Sequence, residues 1–110
     1  NINLQKAGKK MKKIINGRKY DTETAKHIGS RSEGQPGNFE YFTEDLYLKK
    51  TGEFFLLGDG GPRSPYTRDD DGFTAGDCCI IPFTEKQAKK WVEEYCSVET
   101  YEKLFGEVEE

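Results

Sequence analysis

Three cysteines (Cys78, Cys79 and Cys96) and the single histidine, His27, are of residue types that bind zinc. Their spacing argues against a site. No C-x-x-C pair is present, and adjacent strand residues point to opposite faces. Cys78 and Cys79 would therefore not share an ion without a backbone distortion. Buried thiols acting as small hydrophobes are the simpler reading, with no cofactor expected and zinc as the alternative. An odd count with two adjacent members is also a poor disulfide framework, which suits a reducing compartment.

Asp69, Asp70, Asp71 and Asp77 offer carboxylates for a hard cation, and Asp69-Asp70-Asp71-Gly72 echoes a calcium loop. The later bidentate glutamate of such a loop is missing from its required position, so a solvated acidic loop is expected. Gly58-Asp59-Gly60-Gly61 meets neither the dinucleotide nor the P-loop spacing, and reads instead as a strand end with unusual backbone angles. His27 paired with Cys96 or a serine would make a base and nucleophile, but nothing in the sequence brings them together. No catalytic residue is assigned, and the chain is read as a binding protein rather than an enzyme.

Charge is unevenly placed. The formal net charge of −3 divides into +5 over residues 1–13, from Lys6, Lys9, Lys10, Lys12 and Lys13, and −8 over the rest. An acidic body disfavours the folded part as a conventional DNA binder and suits docking on a basic surface, such as one that normally holds nucleic acid. Candidate partner-binding residues are Tyr66, Asp69, Asp70, Asp71 and Phe73 of a long loop, with the exposed acids Glu85, Glu93 and Glu94. Exposed carboxylates are ordinarily a solvated face and gain meaning only against a basic partner. Trp91 suits an interface anchor, but Ala88 and Tyr95 at i−3 and i+4 favour core packing.

The elements that must position these residues follow from turn and periodicity signals. Residues 1–10 are read as a basic N-terminal extension, with Met11 resembling a translation start, and residues 11–110 as one domain. No apolar run approaches the roughly 18 residues of a membrane span, and no apolar segment follows Lys6–Lys13 as in a signal peptide. A soluble protein of the cytosol is expected. Ile14-Ile15-Asn16-Gly17 predicts a short strand pair about an Asn-Gly turn. Asp21 or Thr22 predicts the cap of a brief helix, Glu23 to Ile28, ended by Gly29. Ser30–Asn38 reads as a loop. Phe39–Lys49 is extended, with Thr43-Glu44 as an interruption, and forms a central hairpin with Glu53–Leu57 across a turn closed by Gly52. Phe54–Leu57 is apolar on both alternating faces, the mark of an inner strand. Arg63–Gly76 reads as a long loop, and Cys78–Phe83 as a third strand. Thr84-Glu85-Lys86-Gln87 is a capping box ahead of an amphipathic helix with Ala88, Trp91, Val92 and Tyr95 on one face. Ser97 caps a last helix to Phe105, stopped by Gly106. The fold class is α+β: a three-stranded antiparallel sheet with a central hairpin, a short N-terminal strand pair and helices packed on the sheet.

Met11-Lys12-Lys13-Ile14-Ile15-Asn16-Gly17-Arg18-Lys19-Tyr20-Asp21-Thr22-Glu23-Thr24-Ala25 resembles the opening of small proteins carried by phages and integrative elements of Gram-positive bacteria. The resemblance continues through Leu46–Leu56, Gly60-Gly61-Pro62, Ile80–Thr84 with Ala88 and Trp91, and Phe105-Gly106-Glu107. It spans Met11 to Glu110. Such proteins resemble inhibitors of bacterial defence, best known as the anti-CRISPR proteins that block Cas9. The resemblance implies a non-enzymatic inhibitor of a type II CRISPR effector, with a Cas9-type nuclease as partner. It carries over no catalytic residue. The Cys78-Cys79 doublet departs from the relatives' pattern and leaves a metal or redox role open. The rival expectations are a nucleic-acid-binding accessory protein using Lys6–Lys13 as an arm, and a small zinc protein.

Overall fold

The computed structural model describes residues 10–70 and 73–109, and the side chains of 68–70 and 73–75 are left aside. The chain is α+β, with two antiparallel sheets and two helices. β1 (Lys12–Ile15) and β2 (Arg18–Asp21) form a two-stranded ribbon. β3 (Lys26–Glu33), β4 (Phe42–Leu48), β5 (Phe54–Gly60), β6 (Thr67–Asp70) and β7 (Phe73–Phe83) form a second sheet in the order β3-β4-β5-β7-β6. β6 pairs only with the first residues of β7, Thr67 with Gly76 through Asp70 with Phe73, whereas β5 pairs with Asp77 to Phe83. α1 (Glu85–Tyr95) and α2 (Val98–Phe105) follow. No helix among the described residues is long and apolar enough to cross a membrane.

Three layers result. β5 lies at the centre, and its Phe54, Phe55, Leu56 and Leu57 are all at or below 7% exposure, as an inner strand requires. Leu46, Phe54 and Leu56 face the helices, packing with Ala88, Trp91 and Val92 of α1 and with Tyr101, Leu104 and Phe105 of α2. Tyr47, Phe55, Leu57 and Ile80 face the ribbon, where Tyr20 seals the cluster with Met11 and Ile15 beside it. Tyr47 stacks on Phe55 with centroids 5.2 Å apart, and Tyr20 meets Phe55 edge-on at 5.5 Å, both favoured geometries for aromatic rings.

The locally coded elements form as their sequences dictate. Asn16 (φ 52°) and Gly17 (φ 78°) both take the positive φ of a tight hairpin reversal. Gly52 (φ 94°) closes the β4–β5 turn, donating to Lys49 O at 2.9 Å. Thr84 Oγ1 accepts from Gln87 N while Gln87 Oε1 accepts from Thr84 N, a complete capping box. Ser97 Oγ accepts from Thr100 N, and α2 ends at Gly106 (φ 94°).

Several expectations are corrected. The helix expected over Glu23–Ile28 is a single turn. Asp21 Oδ1 does accept from Glu23 N, and Ala25 N donates to Asp21 O, but the chain then enters β3. The segment 30–33, expected as loop, is the second half of that strand, paired along β4 with a bulge between His27 and Gly29. Gly29 does not end a helix. It gives space to α1, since a Cβ there would lie 2.8 Å from Cys96 Sγ. The long loop expected over Arg63–Gly76 contains β6 and the start of β7. The three-stranded sheet is therefore larger than expected, and Thr43-Glu44 does not interrupt β4, whose register with β3 and β5 runs straight through.

Candidate functional site

The zinc-type residues are not gathered. Neighbouring positions on β7 send Cys78 into the ribbon-side cluster and Cys79 into the helix-side cluster, as strand alternation requires. Cys96 sits at the end of α1 beside Gly29, and His27 lies on β3. None of the three cysteines is in a disulfide, and the described residues contain no group of three or more His, Cys, Asp or Glu side chains able to hold a metal. Burial pushes the Cys79 and Cys96 thiols above their ordinary range, which makes them poor thiolates.

Tyr66, expected as a surface contact, is 6% exposed. Its ring lies over Gly58, where a Cβ would come within 2.2 Å of it, and its hydroxyl donates to Glu44. Glu44 Oε1 also accepts from Trp91 Nε1 at 2.9 Å and from Arg31 Nη1 at 3.0 Å. The Arg31 guanidinium lies 4.1 Å above the Tyr95 ring. Burial opposes ionisation of Glu44, but the hydrogen bonds from Tyr66, Trp91 and Arg31 outweigh it and hold the carboxyl below its ordinary range. Burial, reinforced by Glu44, drives the Tyr66 phenol well upward. Glu44 is thus a satisfied buried knot joining α1 to β3, β4 and the segment before β6. Sequence reasoning did not find it, because its donors lie 13, 22 and 47 positions away.

His27, Ser30 and Asp45 meet on the ribbon side of the β3–β4 pair. His27 Nε2 lies 2.9 Å from Asp45 Oδ1, and Ser30 Oγ donates to the same oxygen at 2.7 Å. These are triad residue types in a non-triad arrangement. A nucleophilic serine must give its proton to one ring nitrogen while the carboxylate holds the other. Here Asp45 takes Nε2, the nitrogen nearest Ser30 at 3.2 Å, and the serine proton is committed to the carboxylate. The group clips the bulged edge strand to β4. His27 also packs edge-on against Tyr47, whose phenol is pushed up to about 12 by burial, then Asp45 and Cys78.

Glu85, Glu93 and Glu94 are exposed, as expected. Glu85 lies 3.6 Å from Lys89, while Glu93 and Glu94 have no ion pair among the described residues. Asp71 lies outside the described residues. Asp69, Asp70 and Phe73 fall on the β6–β7 hairpin, where only their backbone is described. Lys6 and Lys9 of the basic arm also lie outside.

The helical layer also carries a surface depression. A cleft of about 470 Å³ opens between α1, α2 and the C-terminal segment, lined by Val92, Cys96, Val98, Tyr101 and Val108 together with Glu93, Glu102 and Glu109. Val98 is 74% and Val108 61% exposed. Over residues 91–109 there are six glutamates and one lysine, Lys103. The ends of the helices position this lining: Ser97 turns the chain between α1 and α2, and Gly106 sends it back past Tyr101. A lining that mixes apolar side chains with carboxylates can seat an aliphatic side chain flanked by arginine or lysine. No protein-family model, curated protein or solved structure matches this chain.

Proposed function

We propose that this protein is a non-enzymatic inhibitor of a bacterial defence nuclease, binding a type II, Cas9-type effector and blocking its hold on nucleic acid or its cleavage step. The observation that carries the reading is the cleft of the helical layer, lined by both apolar side chains and glutamates. It matches the chemistry of a nuclease surface built to receive phosphate, where Lys and Arg are interspersed with apolar contacts. The resemblance of residues 11–110 to mobile-element proteins supplies the class of partner. The mechanism is steric and electrostatic: Glu93, Glu102 and Glu109 occupy cationic sites that phosphates would otherwise fill, while an apolar partner side chain enters beside Val98 and Tyr101. The experiment is a pull-down and DNA-cleavage assay with a Cas9-type nuclease. Stoichiometric binding with loss of cleavage is expected, weakened at least tenfold by Glu93→Lys with Glu102→Lys. These changes should move stability by no more than about 0.5 kcal/mol each. Neither binding nor inhibition would end the proposal.

A further inference from the structure

The ribbon on the opposite face of the sheet has the opposite charge. Residues 1–21, to the end of β2, hold seven basic side chains and one acid, Asp21, which is buried opposite Lys12, and the remaining chain is −9. Lys10, Lys12, Lys13, Arg18 and Lys19 fall on the described part of this segment, leading into or lying on β1 and β2. The reversal at Asn16-Gly17 makes the ribbon a preformed finger. Its base is tied down: Thr22 N donates to Met11 O at 3.0 Å, Met11 N donates to Thr22 Oγ1 at 2.9 Å, and Tyr20 is buried against Phe55. Its outer face is free of such packing. Ile14 and Lys19 are cross-strand partners, and Lys12 lies two residues from Ile14 on the same face. Arg18 is engaged by Glu53 at 2.7 Å, but Lys10, Lys12 and Lys19 are exposed with no carboxylate partner among the described residues.

We infer that the β1–β2 ribbon grips the phosphate backbone of nucleic acid through Lys10, Lys12 and Lys19. A two-stranded ribbon has the width to enter a major groove, and lysines spaced along it make backbone contacts without reading sequence. The acidic helices do not cancel this field. They lie on the far side of the sheet, and layers pack on the order of 10 Å apart, so the two surfaces stand beyond the roughly 8 Å Debye length of physiological salt. An anionic bilayer is the poorer fit, because interfacial binding draws on a broad apolar face, whereas Ile14, 63% exposed, is the single large apolar side chain on the outer face.

The test is fluorescence anisotropy of a short labelled duplex with the full chain at about 50 and about 200 mM salt. Three neutralised phosphates give a log–log salt slope of about −2.7 from the ribbon alone, at about −0.9 each. Lys12→Gln with Lys19→Gln should make that slope shallower by about 2 and weaken binding about tenfold at low salt. Lys12→Arg with Lys19→Arg should preserve binding, as should Glu93→Gln with Glu94→Gln on the other face. No binding at low salt, or equal binding by the Lys→Gln pair, would overturn the inference, as would preferential partition onto vesicles of anionic lipid. The outcome is separable from the inhibitor reading: duplex binding without nuclease inhibition supports the ribbon and ends the other proposal.

Discussion

Glu44 and Asp45 are neighbours in β4, both nearly buried at 9% and 5% exposure, yet they face opposite layers and live by different rules. Glu44 looks toward the helices and receives Arg31 from the facing position on β3 and two donors from distant elements, the Tyr66 hydroxyl and the Trp91 indole, both on buried residues. Asp45 looks toward the ribbon and receives His27 and Ser30, both on adjacent β3 and both open to water. The first is a tertiary knot and the second a local clip. Burial of a carboxylate thus says little about its importance; what matters is whether its donors have water as a second choice.

The sharpest way to break the comparison is truncation at both positions. Glu44→Ala strands a guanidinium, an indole and a phenol, and should cost about 3–5 kcal/mol in chemical denaturation. Next comes Gly58→Ala, whose new methyl meets the Tyr66 ring and should cost roughly 1–3 kcal/mol by overpacking. Pairing it with Tyr66→Leu should recover part of that loss in a double-mutant cycle, despite the lost hydroxyl. Asp45→Ala should cost only about 1 kcal/mol, since its donors turn to solvent. Equal losses at 44 and 45 would dissolve the distinction.

Acid titration sharpens it further. The Glu44 carboxyl titrates lower in the fold than in the unfolded chain, where its ordinary value is near 4.5. The stability it lends is present above that unfolded value and is lost as pH falls through the folded one. Glu44→Gln should therefore lower stability at neutral pH and flatten its fall on acidification, as followed by circular dichroism.

Where signals are local, the sequence was readable. Gly52, the Thr84–Gln87 box, Ser97 and Gly106 each specify a turn or cap within four residues, and the elements beside them form as expected. β3 was not readable because Asp21 begins a genuine helical turn and the strand that follows, Lys26–Glu33, is polar and becomes a strand only by pairing with β4. The β6–β7 hairpin was missed because its first strand, Thr67–Asp70, is charged and polar and reads as loop. Tyr66 was misread because loop position suggests exposure, whereas Gly58 opens a slot for its ring. The carboxylate at Glu93 was legible as charge. The cleft it lines was not, since it needs α2 folded back beside α1.

The centre of the molecule poses one last problem, that of alignment. A strand apolar on both sides loses nothing in hydrophobicity by sliding one place along its neighbours. The two glycines that follow, Gly58 and Gly60, prevent it: Tyr66 occupies the space of a side chain at 58, and Ser64 and the Phe42 Cβ crowd the one at 60. A one-place slide in either direction would drive Leu57 or Asp59 into the tyrosine ring. Two missing methyl groups thus choose a single alignment for the strand that both outer layers are built upon.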